Sequence, residues 1–276
     1  MSLESAEIVR PVAGTHGQGV TIRNALLLFF VVVAIALLVL ALLKPIPQDP
    51  AYHHFADRRE LLGIPNALNV LSNLPFLLVA ILGFRVVLHA APSPQGSFVL
   101  PQEKYPYLAL FAGVALVAFG SGYYHLRPDN ATLVWDRIPM AVGFMGLFAA
   151  VLGERLGLKW GLRLLPILVI LGAASVWYWY YGELHGRGDL RPYIGVQFLP
   201  LLLIPLLIVL FPSRYTAGGK LLGTFTFYIL AKILETFDAA IYQRTVLVSG
   251  HTLKHCAAAL AIFFIVQMLN VRRSTS

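Results

Sequence analysis

The sequence predicts an all-α integral membrane protein of eight transmembrane helices, on three observations. Hydrophobic residues make up 58% of the 276-residue chain and charged residues only 12%. A soluble domain carries about 25% charged residues, so this chain lacks the polar groups to cover a water-facing surface, and the soluble and disordered classes are excluded. Eight apolar runs approach the ~20 residues that a helix needs to cross a bilayer: 24–43, 68–89, 107–126, 132–152, 162–180, 194–211, 221–240 and 251–270. The runs are continuous rather than alternating, which selects helices over a barrel.

In chain order, a polar head over 1–23 carries Arg10 and Arg23. The run from Asn24 to Leu43 is too long for the apolar part of a signal peptide, and Lys44-Pro-Ile-Pro47 is no small-residue cleavage site, so it reads as a retained helix. The second run opens on Asn66, Asn69 and Asn73 at helical spacing, suited to hydrogen bonds between helices. Ala91 to Ser97, rich in Pro, Ser and Gly, reads as a flexible loop. The turn Arg127-Pro-Asp-Asn130 makes the third and fourth runs antiparallel neighbours. Trp177 to Tyr181, all aromatic, reads as an interfacial anchor ending the fifth. Phe211-Pro-Ser-Arg-Tyr215 leads into the seventh, where Lys232 and Glu235 are spaced to neutralise each other. A tail over 271–276 follows the eighth run.

The net charge of +8 points to membrane flanks and not to nucleic acid, because the cations lie mostly between apolar runs. Ten Lys and Arg fall on the side of the head, tail and even-numbered loops, and seven on the other. This bias places both termini in the cytoplasm, in a bacterial host across the inner membrane. The single cysteine, Cys256, excludes an internal disulfide and thiolate clusters, so a transition metal has to be held by His and carboxylate.

Ionisable groups inside spans are costly and mark candidate sites. Ser121 and His125 are four apart and share a helix face. Asp136 lies six residues past Asn130, about 9 Å along the next helix, and so returns to their depth. His251 and His255 open the last helix, again four apart, a spacing at which two imidazoles can share one ion. The eight-span count puts both clusters on the same side, here the periplasmic one. Three His and one carboxylate at one level point to an open catalytic Zn²⁺ site with His125, His251 and His255 as ligands. Asp136 is placed to exchange a proton with an activated water, and Ser121 to hydrogen-bond an oxyanion. Taken singly, each histidine is an ordinary interfacial residue and the HxxxH pair is a weak motif; the combination carries the weight. Thr252 stands where an HExxH protease needs Glu, and three histidines are too few for a membrane di-iron oxygenase. His16, His53, His54, His89 and His185 read as non-ligands. Asp238 reads as a partner of the histidines or as interfacial, and Lys254 as turned about 100° from His255.

Five segments, Phe55 to Arg59, Ile64 to Asn73, Gly120 to Leu126, Val134 to Arg137 and Ser249 to His255, resemble the bacterial branch of the alkaline ceramidase family. That family belongs to a membrane hydrolase superfamily which includes the adiponectin-receptor-like proteins. The resemblance covers roughly 55–260. It implies a seven-helix hydrolase core, about 44–270, with the run at 24–43 as an extra N-terminal helix. It also implies zinc on His125, His251 and His255, with Ser121 and Asp136 matching the family's serine and aspartate. The implied reaction is hydrolysis of the amide of an N-acyl sphingoid base, releasing a fatty acid, with a ceramide-like lipid as partner. Eukaryotic ceramidases carry calcium before their first core helix; Asp57, Glu60 and Asn66 here do not match that pattern in spacing or acidic count, and no calcium site is assigned. The competing classes are a lipid-sensing receptor of the same superfamily and an ion-coupled transporter using Lys232, Glu235 and Asp238. The transporter is disfavoured by the lack of repeats and paired broken helices.

Overall fold

A computed structural model describes residues 21–275; the expected head over 1–23, with Arg10 and His16, lies almost wholly outside them. The described residues form helices joined by loops, with two isolated bridges and no extended strand among them. The helices are α1 (Ile22–Leu42), α2 (Ala67–Leu71), α3 (Leu74–His89), α4 (Tyr105–Leu126), α5 (Asn130–Arg155), α6 (Leu158–Leu184), α7 (Arg191–Leu210), α8 (Lys220–Thr236), α9 (Asp238–Thr245) and α10 (Gly250–Val271). Seven elements are long and apolar enough to cross a membrane: α1, the α2–α3 pair, α4 with the 3-10 turn before it, α5, α6, α7 and α10.

The expected second span is interrupted at Ser72 and Asn73. Pro75 has no N–H to return to the Leu71 carbonyl, so the ladder breaks there. The expected span over 221–240 also ends early. Its helix α8 has 17 residues and stops at Thr236, because the chain turns at Phe237 to set Asp238 against the start of α10. α8 lies alongside α10: at its start the Lys220 ammonium donates to Gln267, and just past its end Asp238, which opens α9, accepts from the His251 N–H.

Close approach of α4 to α5 positions the candidate site. A Cβ at Gly120 would stand 1.9 Å from the Trp135 carbonyl oxygen, and one at Gly113 would stand 2.5 Å from the Gly143 nitrogen. Small residues of this kind let membrane helices meet backbone to backbone. The Asp129 carboxylate accepts from Thr132 N–H and the Thr132 hydroxyl faces back, a reciprocal cap that starts α5 directly after the turn. Ser249 caps α10 with its side chain alone, accepting from Thr252 N–H.

At the far end of the bundle, the tail bonds to the 91–97 loop, through Ser274 N–H to the Gly96 carbonyl and Arg272 to the Ser97 carbonyl. That loop is therefore tied down. Arg272 is buried there among Phe98, Tyr107 and Tyr215 and is paired with Glu154. At the other end, residues 43–66 form a strap across the bundle. Its links include Leu190 N–H to the Ile46 carbonyl, Gln48 N–H to Glu183, and Ala56 N–H to Asp238. Within it the Arg59 guanidinium donates two bonds to Asp57, holding that carboxyl below the usual carboxylate range. Asp57 is thus engaged with Arg59, and Asn66 donates to the His125 carbonyl. α1 lies against α7 with only Ala25 and Phe29 buried; Leu27, Phe30 and Leu38 face outward. A helix apolar on all sides suits a lipid surround.

Candidate metal centre

α4 delivers Ser121 and His125, α5 delivers Asp136, and α10 delivers His251 and His255; all five side chains are buried. The three imidazoles converge, with ligand atoms within 4.8 Å of one another, close enough to hold one metal ion. His125 Nε2 and His251 Nε2 stand 3.3 Å apart. Two nitrogens bound at ~2.0–2.1 Å to one tetrahedral ion are separated by about this distance, so the donor set fits such an ion.

The second nitrogen of His255 and the backbone of His251 are held from outside, whereas His125 Nδ1 is buried with no hydrogen-bond partner among the described residues. Ser72 Oγ lies 2.7 Å from His255 Nδ1 and 3.1 Å from the Asn69 carbonyl oxygen. A hydroxyl has one hydrogen. With that hydrogen given to the carbonyl, Oγ accepts from Nδ1–H, and Nε2 of His255 keeps its lone pair for an ion. Asp238 accepts from His251 N–H at 2.7 Å and from Ala56 N–H at 3.0 Å, joining the start of α10 to the strap. The strap then lays the Phe55 ring over two of the imidazoles, 4.7 Å from His125 and 4.5 Å from His251, centre to centre.

Comparison with known protein families, with characterised proteins and with solved structures finds no match to this chain. The geometry therefore carries the assignment of roles.

Ser121, Asp136 and His255 open onto a cavity of about 270 Å³ between α4, α5, α7, α8 and α10. Ser121 faces the Asp136 carboxylate. Toward the strap the cavity is polar, with Tyr52, Arg137, Glu235 and Lys254; deeper in the bundle it is apolar, with Val114, Leu147 and Ile204. α7 and α8 are bridged by the Gln197–Tyr228 hydrogen bond and otherwise touch little, so the cavity lies close to the lipid-facing surface there.

Several residues take positions that differ from the sequence reading. Lys254 reaches across to α8 and pairs with Glu235 at 2.5 Å, joining the Lys232–Glu235 pair into a triad that lines the cavity. Its angle from His255 turns it toward α8 rather than away from the site. The asparagines divide: Asn66 is in the left-handed region before α2, Asn69 joins Asp57 to Thr252, and Asn73, at the break between α2 and α3, donates back to the Asn69 and Val70 carbonyls of α2. His53 bridges Tyr124 and Asn130, while His89 and His185 bond carbonyls four residues back. Of the aromatic run, Trp177, Tyr178 and Tyr181 are exposed as an interfacial anchor needs, but Trp179 is fully buried.

Sequence reasoning missed Ser72, Phe55 and Arg137. For Arg137 the signal is present, since a charge seven residues into a span is as costly as Asp136 beside it. For Ser72 and Phe55 no local pattern distinguishes them from neighbours.

Proposed function

We propose that the chain is a zinc-dependent integral-membrane amidohydrolase that cleaves the N-acyl amide of a ceramide-like lipid, as its resemblance to the bacterial alkaline ceramidases implies. The observation that carries the reading is the convergence of three buried imidazoles, one of which, His255, opens with Ser121 and Asp136 onto a cavity whose depth is apolar. We take α8 as the eighth crossing: its 17 residues span about 26 Å at 1.5 Å each and run the length of α10. Both described termini then lie on one side, the cytoplasmic side by the charge bias, and the strap end faces the periplasm.

Zinc on His125, His251 and His255 would supply Lewis-acid polarisation of a carbonyl and an acidified water. The chain's own residues do the rest. Val114, Leu147 and Ile204 bury the acyl chain, which enters from the bilayer beside α7 and α8. Asp136 takes a proton from the attacking water and hands it to the departing amine nitrogen. The water oxygen bonds to the carbonyl carbon as the C–N bond breaks, giving a fatty acid and a sphingoid amine. Ser121 donates a hydrogen bond to the carbonyl oxygen as charge develops there. The strap, with Phe55, keeps bulk water off the histidines.

The test is ceramide hydrolysis by purified protein in lipid nanodiscs, with zinc content measured in the same sample. Asp136→Asn is expected to keep its zinc and lose about 10²–10⁴-fold in turnover. A zinc-loaded wild type that releases no fatty acid from any lipid amide would replace the enzyme reading with that of a lipid-binding receptor.

A further inference from the structure

Arg137 is 5% exposed, lines the same cavity as Ser121 and Asp136, and is caged by aromatic rings. Its guanidinium carbon lies 4.3 Å from the Trp179 ring centre, 4.9 Å from Tyr193 and 5.6 Å from Tyr52. Nη2 donates to Gln48 of the strap at 2.6 Å, which places the head of the side chain at the strap end of the cavity. Nη1 is buried and has no hydrogen-bond partner among the described residues. No carboxylate among them forms an ion pair with this group.

Arg272 provides an internal comparison. It too is buried among three aromatic rings, at the opposite end of the bundle, and there the fold supplies the Glu154 carboxylate as counter-charge. At Arg137 the fold supplies a cavity instead. A buried guanidinium with no directly paired anion is costly, and planar guanidinium donors recognise carboxylate and phosphate well. The charges lining the cavity lean the same way: Arg137, Lys232 and Lys254 stand against Asp136 and Glu235, three cations to two carboxylates. Glu235 already joins both lysines, so Arg137 is the cation left to a ligand.

From this geometry we infer that Arg137 binds an acidic group on the amine side of the lipid amide, so that the substrate is an anionic lipid amide rather than a neutral one. The inference rests on the hydrolase reading above and narrows its substrate class. The apolar depth of the cavity takes the acyl chain, which puts the amide at Ser121 and Asp136. The amine portion then lies toward the strap, where Arg137 stands. An N-acyl amino acid, with a carboxylate, and an N-acyl sphingoid phosphate both present this chemistry. Arg137 is in this account a specificity residue and takes no part in proton transfer.

Two matched pairs of amides separate the possibilities: N-dodecanoylglycine against N-dodecanoylethanolamine, and ceramide phosphate against ceramide. The wild type is expected to favour the acidic member of at least one pair by about 10- to 100-fold in kcat/KM, the range of a hydrogen bond to a charged group. The favoured pair tells carboxylate from phosphate. Arg137→Gln is expected to bring that ratio to within threefold of one, and Arg137→Lys to give an intermediate ratio. Equal or better cleavage of both neutral members overturns the inference and leaves the hydrolase reading standing. So does an unchanged ratio in both variants. If Arg137→Gln does not fold, as judged by zinc content and melting, the wild-type ratios and Arg137→Lys decide. If none of the four amides is cleaved, the hydrolase reading fails. Binding of dodecyl phosphate and dodecanoate against dodecanol to the wild type then decides the anion site, and equal affinity for all three removes it.

Discussion

Replacing Ser72 with Ala tests the candidate metal centre without touching a ligand. The hydroxyl sits 2.7 Å from His255 Nδ1 and 3.1 Å from the Asn69 carbonyl oxygen; with its hydrogen given to that carbonyl, it holds the imidazole proton on Nδ1. In Ser72→Ala that proton is free to shift to Nε2, which must be cleared before it can bind an ion. The ring also loses the contact that fixes its orientation. The hydrogen bond alone is worth about 0.5–1.5 kcal/mol, a factor of roughly 2 to 13. With tautomer control added, outer partners of metal-bound histidines are worth about 10- to 100-fold in affinity. Zinc affinity measured by chelator competition should fall in that range for Ser72→Ala. Ser72→Thr keeps the hydroxyl and should recover most of it, whereas His255→Ala should abolish measurable binding. An affinity for Ser72→Ala within twofold of wild type would refute the reasoning. A loss as deep as that of His255→Ala would do so from the other direction, since a positioning contact would then weigh as much as a ligand.

Gly120→Ala should force α4 from α5 beside Ser121 and Asp136, because its Cβ meets the Trp135 carbonyl oxygen at 1.9 Å. Overpacking of this kind costs about 1–3 kcal/mol, and a wild-type melting temperature in detergent would show that the helices separate freely. Asp57 is held below the usual carboxylate range by Arg59, so its contribution to stability is complete above the unfolded value of ~3.9 and is lost as pH falls through the lower folded value. Melting of the wild type should therefore fall more steeply below pH ~4 than that of Asp57→Asn, and parallel curves would remove this pair from the acid response. For topology, single cysteines at Asn130 and Ser213 in a Cys256→Ser background should be labelled from outside intact cells at 130 and spared at 213. The reverse pattern inverts the protein in the membrane.

Much of the site was legible because its pieces are local. Ser121 with His125, and His251 with His255, follow from four-residue spacing on one helix, and Asp136 follows from the tight turn at 127–130. The all-helical membrane class followed from apolar runs alone. What was not legible depends on where distant segments meet. The break at Ser72 and Asn73 tracks Pro75, a visible signal, but the contact of Ser72 with His255 joins residues 183 apart. The early end of α8 is likewise set by a tertiary demand, the bonds from Asp238 to His251 and Ala56. The turn of Lys254 toward Glu235 needs the packing of α8 on α10, which the apolar pattern of either helix does not specify.

The Phe55 ring bears on time as well as on place. It is 4% exposed, covers two imidazoles, and is anchored through the backbone of the next residue to Asp238. For zinc bound by those imidazoles, departure toward the aqueous end requires residues 46–56 to detach from α6, α7 and α9 first. Residence time is then set by the rate of that detachment rather than by the strength of coordination. A brief exposure to chelator should leave the ion in place, and depletion should follow a slow, chelator-independent rate that Phe55→Ala accelerates.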